Sequence, residues 1–176
     1  MQIQALQIDN FFENPTLVRE YALAQEYIGP NEDENWLGLR TKEMDSKVGD
    51  IDINKSILSA IKYHLPELPE LEIFWVFHIL PAIIKDNTDT PFDYQQLHVD
   101  SEKVDFAGVI YLTPNPSEHS GTSFYETFNK KLGEVKNVYN KFVVYPADIL
   151  HAPTNPFGET NEDSRLALTF FCSIKQ

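Results

Sequence analysis

The spacing of apolar positions along this chain changes period once, near residue 70. Before that point the period is helical. Leu17, Val18, Tyr21, Ala22 and Ala24 or Gln25 recur at helix spacing, in a segment opened by Asn14 and Pro15, residue types that cap a helix and begin its first turn. A second helix is predicted after Asn54, running through NKSILSAIKYHL to a stop at Pro66; His64 falls at its C-terminal end, where a protonated or polar group is stabilised. Between the two, residues 29 to 50 (GPNEDENWLGLRTKEMDSKVGD) are polar and turn-rich apart from Trp36, Leu37 and Leu39. They read as a long surface loop, a kind of segment that is usually functional or mobile.

From LEIFWVFHIL onward the period falls to two, with β-branched and aromatic residues punctuated by Gly, Pro and Asn. Helices followed by seven or eight short strands predict an α+β chain, mainly β, whose core is an antiparallel jelly roll flanked by N-terminal helices. One domain over 1–176 is expected, with 1–70 as helical support and loop and 71–176 as the barrel. At 42% hydrophobic and 12% aromatic content, 176 residues suffice for one such core. There is no internal repeat and no low-complexity tract.

Charge narrows the partners. Fourteen basic against twenty-seven acidic residues leave a net charge of −13, and an acidic surface repels phosphate backbones, so nucleic acid is not an expected partner. No apolar run is long enough to span a bilayer, and MQIQALQIDNFF lacks the basic and apolar regions of a signal peptide. No membrane partner and a cytoplasmic location are therefore expected. The single cysteine, Cys172, alternates into an apolar strand and reads as a buried inert thiol.

Chemistry-bearing residues concentrate in the second half. The stretch FDYQQLHVD alternates, so an extended backbone would project Tyr94, Gln96, His98 and Asp100 to one face. His151 follows fifty-three residues after His98, behind the strand and turn of KFVVYPADIL. Two neutral imidazoles and one carboxylate can hold Fe(II) on one face and leave the other face open to ligands and O2. Arg165 opens RLALTFFCSI, on the same face as Ala167 and Thr169 and opposite Leu166, Leu168 and Phe170. A guanidinium pointing inward must be paired. An internal Asp or Glu would satisfy it, and so would a bound carboxylate. The remaining candidates are peripheral. His78, in FWVFHIL, reads as a core or barrel-face histidine; His119, in the Pro-rich loop TPNPSEHSG, is a candidate substrate contact; Trp36 and Arg40 form either a lid over the site or a staple that holds the loop down.

Taken in order, YQQLHVD, AGVIYLTP, the Gly-Thr turn of SGTSFYE, FVVYPADILHAP and RLALTFF resemble the Fe(II)- and 2-oxoglutarate-dependent dioxygenases, in particular their prolyl-hydroxylase-like branch. These elements span Tyr94 to Phe171. The resemblance implies a double-stranded β-helix with its site in the barrel mouth, bordered by the 29–50 and 114–120 loops. It assigns His98, Asp100 and His151 to iron, Arg165 to the distal carboxylate of 2-oxoglutarate, and Tyr111 to the same carboxylate. Thr169 and Tyr94 are further candidates for the co-substrate, and Trp36, Arg40, Gln96 and His119 for the primary substrate. It implies the use of 2-oxoglutarate and O2 with release of succinate and CO2, and hydroxylation of a C–H bond in an amino acid, peptide, protein side chain or small metabolite. Halogenation is not implied, because Asp100 fills the position a halide needs. One departure stands out. Arg165 follows His151 by fourteen positions, and the insertion NPFGETNEDS is expected to lengthen a hairpin.

Two other classes fit part of the pattern. A cupin-like metalloenzyme of the same barrel works without 2-oxoglutarate, but such sites usually draw a third histidine and a glutamate and give Arg165 no reason to face inward. A catalytically silent jelly-roll binding module keeps the fold alone.

Overall fold

The computed structural model describes residues 5–31, 36–84 and 95–175. Tyr94 lies outside the described residues. The element order is β1 (Leu6–Ile8), α1 (Pro15–Leu23), β2 (Leu39–Arg40), β3 (Lys47–Val48), β4 (Ile51–Asp52), α2 (Ile53–His64), β5 (Leu71–Leu80), β6 (Phe106–Tyr111), β7 (Gly121–Thr127), β8 (Lys130–Lys136), β9 (Phe142–Pro146), β10 (Leu150–Thr154) and β11 (Arg165–Ile174).

Three layers result. A six-stranded sheet, ordered β1-β9-β6-β11-β5-β2, has the helices on one face and a three-stranded sheet, β10-β7-β8, over the other. Every pairing in them is antiparallel. This is the jelly-roll architecture expected from the strand pattern. The period of two sorts each long strand between the layers. On β11, Leu166, Leu168, Phe170 and Cys172 pack towards the helices with Trp75, Phe77 and Ile79 of β5. Ala167 joins Val109, Tyr111, Val143 and Tyr145 in the space between the sheets. The helices close the first face: Ile53, Ile57 and Ile61 of α2, at helical spacing, are fully buried, each worth about 1.5–3 kcal/mol of apolar burial.

Local chemistry explains the helix starts. Asn14 caps α1 by accepting from the Leu17 N–H, with Pro15 in the first turn. The second helix begins earlier than the sequence pattern suggests. Asp52, not Asn54, caps it by accepting from Lys55 N–H, while the Asn54 side chain accepts instead from the Trp75 indole N–H at 2.8 Å. The expected 29–50 loop also needs correction. It contains β2, which extends the large sheet, and β3, whose Val48 is fully buried. The NPFGETNEDS segment, in turn, lengthens no hairpin. It carries the chain from β10 in one sheet to β11 in the other. Among the described residues no helix is long and apolar enough to cross a membrane.

Candidate active site

The three candidate metal-ligating residues are positioned by backbone pairing. His98 and His151 form an antiparallel bridge with N–H···O distances of 3.1 and 2.9 Å in the two directions. Asp100, two residues on, donates its N–H to the Ala147 carbonyl at 3.0 Å. The extended run around His98 is shorter than the alternation implies, since Gln95 is helical and Gln96 lies in a turn. His98 and Asp100 nevertheless share a face, and with His151 they bring three ligand atoms within 4.8 Å of one another. Among the described residues this is the one group of three such ligands.

Both imidazoles are oriented in the same way. The Nδ1 of His98 lies 2.8 Å from the Gln96 carbonyl, and that of His151 lies 2.9 Å from the Ile149 carbonyl. A carbonyl only accepts, so Nδ1 carries the proton in each ring and Nε2 presents a lone pair, the tautomer a metal requires. Asp100 Oδ2 is buried without a hydrogen-bond partner and lies 3.5 Å from His151 Nε2. Burial pushes the Asp100 carboxyl up to about 6, against the pull of His98 and Arg40, and burial together with His98 pushes His151 down to about 3. Burial is the first cause of both shifts, and it leaves His151 neutral with its Nε2 lone pair free. Two imidazole lone pairs and one orphaned carboxylate oxygen fit a divalent transition-metal cation, iron among them. His98 is half exposed, so the group opens to solvent on that side.

A cavity of about 500 Å3 runs from this group to Arg165, within the usual range for small-molecule sites. Arg165 is 2% exposed, and its Nε has no hydrogen-bond partner. One terminal nitrogen lies 3.4 Å from the Gly121 carbonyl, the guanidinium sits 5.4 Å from the Tyr111 ring centroid and reaches its hydroxyl, and that hydroxyl is 2.8 Å from Thr122 Oγ1. No carboxylate among the described residues pairs with it. The internal Asp or Glu that would make Arg165 a structural residue is thus not found there, and the cradle fits the carboxylate of a bound anion. Thr169 and Thr122 line the same cavity.

Of the other sequence-derived candidates, Gln96, Trp36 and Arg40 line the cavity. His119 does not. Its side chain is exposed, and the Asn155 amide ties the His119 carbonyl to the segment leaving β10 at 2.7 Å; no residue of 114–120 lines the cavity. Two lining residues carry roles not read from the sequence. Tyr145 packs on the His151 ring at 4.8 Å, with its hydroxyl held well above its usual range by burial and by Asp100; the alternation of FVVYP placed it on the inner face. His78 is in the cavity wall, its Nε2 2.5 Å from the Leu37 carbonyl. Burial and the nearby Arg40 and Arg165 guanidinium groups hold it neutral.

No family model and no curated protein sequence matches the chain. Solved structures do. A Pseudomonas putida prolyl-4-hydroxylase aligns over 99% of this chain and 94% of its own, with a TM-score of 0.63 and 18% identity. The viral collagen prolyl hydroxylase of Paramecium bursaria Chlorella virus-1, in complex with 2-oxoglutarate, aligns over 98% and 96% at a TM-score of 0.58 and 8% identity. A 2-oxoglutarate-Fe(II) oxygenase family oxidoreductase from Burkholderia pseudomallei covers 96% of this chain and 84% of its own at 0.60 and 13%. The chain has the fold of the 2-oxoglutarate/Fe(II) oxygenases, prolyl-hydroxylase-like in its outline.

Proposed function

We propose that this chain is a 2-oxoglutarate-dependent Fe(II) oxygenase that hydroxylates an organic substrate and releases succinate and CO2. The observation that carries this reading is the presence, in one cavity, of an oriented His98–Asp100–His151 ligand set and a buried guanidinium with no carboxylate partner among the described residues. His98, Asp100 and His151 would hold the iron. Arg165, with Tyr111 and Thr169, would hold the distal carboxylate of 2-oxoglutarate. Iron and 2-oxoglutarate, when bound, supply the activation of O2 and the oxidation of a C–H bond.

The chain's own residues do the rest. The Gln96 and Ile149 carbonyls fix the two imidazoles so that both Nε2 lone pairs converge on the Asp100 side. Arg165 selects a dianionic co-substrate by charge and by its planar fork. The Tyr111 hydroxyl, anchored by Thr122, keeps that fork from swinging. Tyr145 and Val109, both buried, exclude water from the inner wall. The cupin-like reading loses support because no third histidine or glutamate joins the ligand group among the described residues. Purified protein supplied with Fe(II), ascorbate and 2-oxoglutarate should release succinate slowly by itself and faster with an accepted substrate. No succinate from a folded, iron-loaded protein across a broad substrate panel would contradict the proposal.

A further inference from the structure

Tyr111 and Tyr145 both lie in the space between the sheets, but only the first has its hydroxyl committed. Thr122 and Arg165 hold the Tyr111 hydroxyl. Tyr145 is 4% exposed and lines the cavity, yet its hydroxyl has no hydrogen-bond partner among the described residues. The ring is fixed on two sides: the Phe124 ring meets it edge-on at 4.9 Å, and the His151 ring lies 4.8 Å away. A phenylalanine would make both ring contacts as well. The hydroxyl is therefore a polar group that packing does not explain, and burying one without a partner is unfavourable. In a cavity wall, a bound ligand is what supplies that partner.

Register gives its place along the cavity. The inner face of the large sheet is laid out in rows across the strands: Tyr111 beside Ala167, then Val109 beside Thr169 and Val143, then Ala107 beside Phe171 and Tyr145. Arg165 lies one step beyond the first row, at the start of β11. Tyr145 thus rises from the opposite end, where Ala147, two residues on, pairs with the Asp100 backbone at 3.0 Å. From there its hydroxyl feels Asp100, Tyr111 and Arg165 together, which places it over the interval between the ligand group and the guanidinium. Burial holds the hydroxyl well above its ordinary range, so it stays protonated and serves as a donor.

We infer, building on the oxygenase reading above, that the Tyr145 hydroxyl donates a hydrogen bond to the 2-oxo acid end of the bound co-substrate, while Arg165 and Tyr111 hold the far carboxylate. The protein then grips the co-substrate at both ends. Donation to an anionic acceptor is the stronger kind of hydrogen bond. A ring already packed between Phe124 and His151 has little freedom left to lose on binding.

The test is Tyr145→Phe, which removes one oxygen and keeps the ring. Protein loaded with Zn(II), which does not react with O2, is titrated with 2-oxoglutarate by calorimetry. Protein loaded anaerobically with Fe(II) gives the position of the 2-oxoglutarate charge-transfer band. Tyr145→Phe should bind 2-oxoglutarate about tenfold more weakly, with metal affinity unchanged. Its metal-free melting temperature should equal or exceed that of wild type, because the lost oxygen has no partner in the protein. The band should move to shorter wavelength, since a donor at the 2-oxo acid lowers the acceptor orbital; Arg165→Lys should weaken binding and leave the band in place. Unchanged 2-oxoglutarate affinity or an unmoved band in Tyr145→Phe would overturn the proposal. A lower melting temperature, or failure of this variant to fold, would make the hydroxyl structural and overturn it too. Failure of the wild-type Zn(II) protein to take up one 2-oxoglutarate would overturn the oxygenase reading instead, and that result is read before any variant is made.

Discussion

His151 Nε2 and Asp100 Oδ2 face each other at 3.5 Å with no hydrogen between them. The His151 proton is committed to the Ile149 carbonyl, so two acceptors confront one another in a largely buried site. Without a cation the contact costs stability; with one it becomes coordination. Asp100→Asn would place an N–H donor opposite the imidazole lone pair. It should stabilise the metal-free protein by about 1 kcal/mol, the net value of a hydrogen bond. It should also abolish the rise in melting temperature on adding Zn(II) or Fe(II). Wild-type protein at a metal concentration one hundred times its Kd should gain about 2.7 kcal/mol. Thermal melts of both forms, with and without metal, measure both effects.

Removing the imidazoles should separate folding from binding. His98 is half exposed and His151 is buried, so His98→Ala should lose metal with little change in the metal-free melting temperature, whereas His151→Ala should lose metal and stability together. The double substitution His98→Ala/His151→Ala should retain no stoichiometric iron after desalting, read by metal analysis. Tight iron binding by a folded double variant would remove these residues from the centre.

Arg165→Lys keeps the charge and loses the planar fork. Co-substrate binding should weaken by about 1–3 kcal/mol, roughly five- to a hundredfold, while metal affinity hardly changes. Calorimetry on the Zn(II)-loaded protein reads both. Tyr111→Phe should produce a smaller loss in the same direction, since it frees the guanidinium and leaves Thr122 Oγ1 without its 2.8 Å partner.

The pH dependence of stability carries the mark of His78. Its pKa in the folded protein is held well below the usual 6.5, first by burial and then by Arg40 on β2, with Arg165 on β11 acting in the same direction. Below pH 6.5 the unfolded chain takes up a proton there that the folded chain refuses, so stability falls as pH drops through that value. His78→Gln keeps an N–H for the Leu37 carbonyl and removes the titration. Its urea midpoint should fall less than that of wild type between pH 7.5 and 5.5. Parallel pH dependence in the two proteins would show that His78 titrates normally.

Cys172 is buried on the helix-facing side of β11, and burial pushes its thiol up to about 12. Native protein should resist alkylation by iodoacetamide for hours and react within minutes in denaturant, checked by mass spectrometry.

How much of this was legible in the sequence depends on the length of each signal. The ten-residue β11 gave a full alternation, and Arg165 and Thr169 fell on the cavity side as the pattern required. The His-x-Asp pair and distal His151 were legible as residue types, and the bridge between His98 and His151 brings them together. Two-residue strands carry no period. Leu39–Arg40 and Lys47–Val48 therefore vanished into an apparent loop, and the cavity wall bearing Arg40 went with them. The start of α2 was misplaced by competition between two good caps: the Trp75 indole claims the Asn54 side chain and leaves the cap to Asp52. Tyr145 was legible from FVVYP but lacked a reason to be singled out until β9 placed it against His151.

The central claim is that one cavity holds iron and 2-oxoglutarate together. Anaerobic titration of 2-oxoglutarate into the Fe(II)-loaded protein tests it most directly, because chelation of iron through the 2-keto acid produces a visible charge-transfer band. A saturable band at one equivalent per chain, requiring higher 2-oxoglutarate concentrations in Arg165→Lys and absent in His98→Ala/His151→Ala, is the expected result. Iron bound at one per chain with no band at any 2-oxoglutarate concentration would contradict the account.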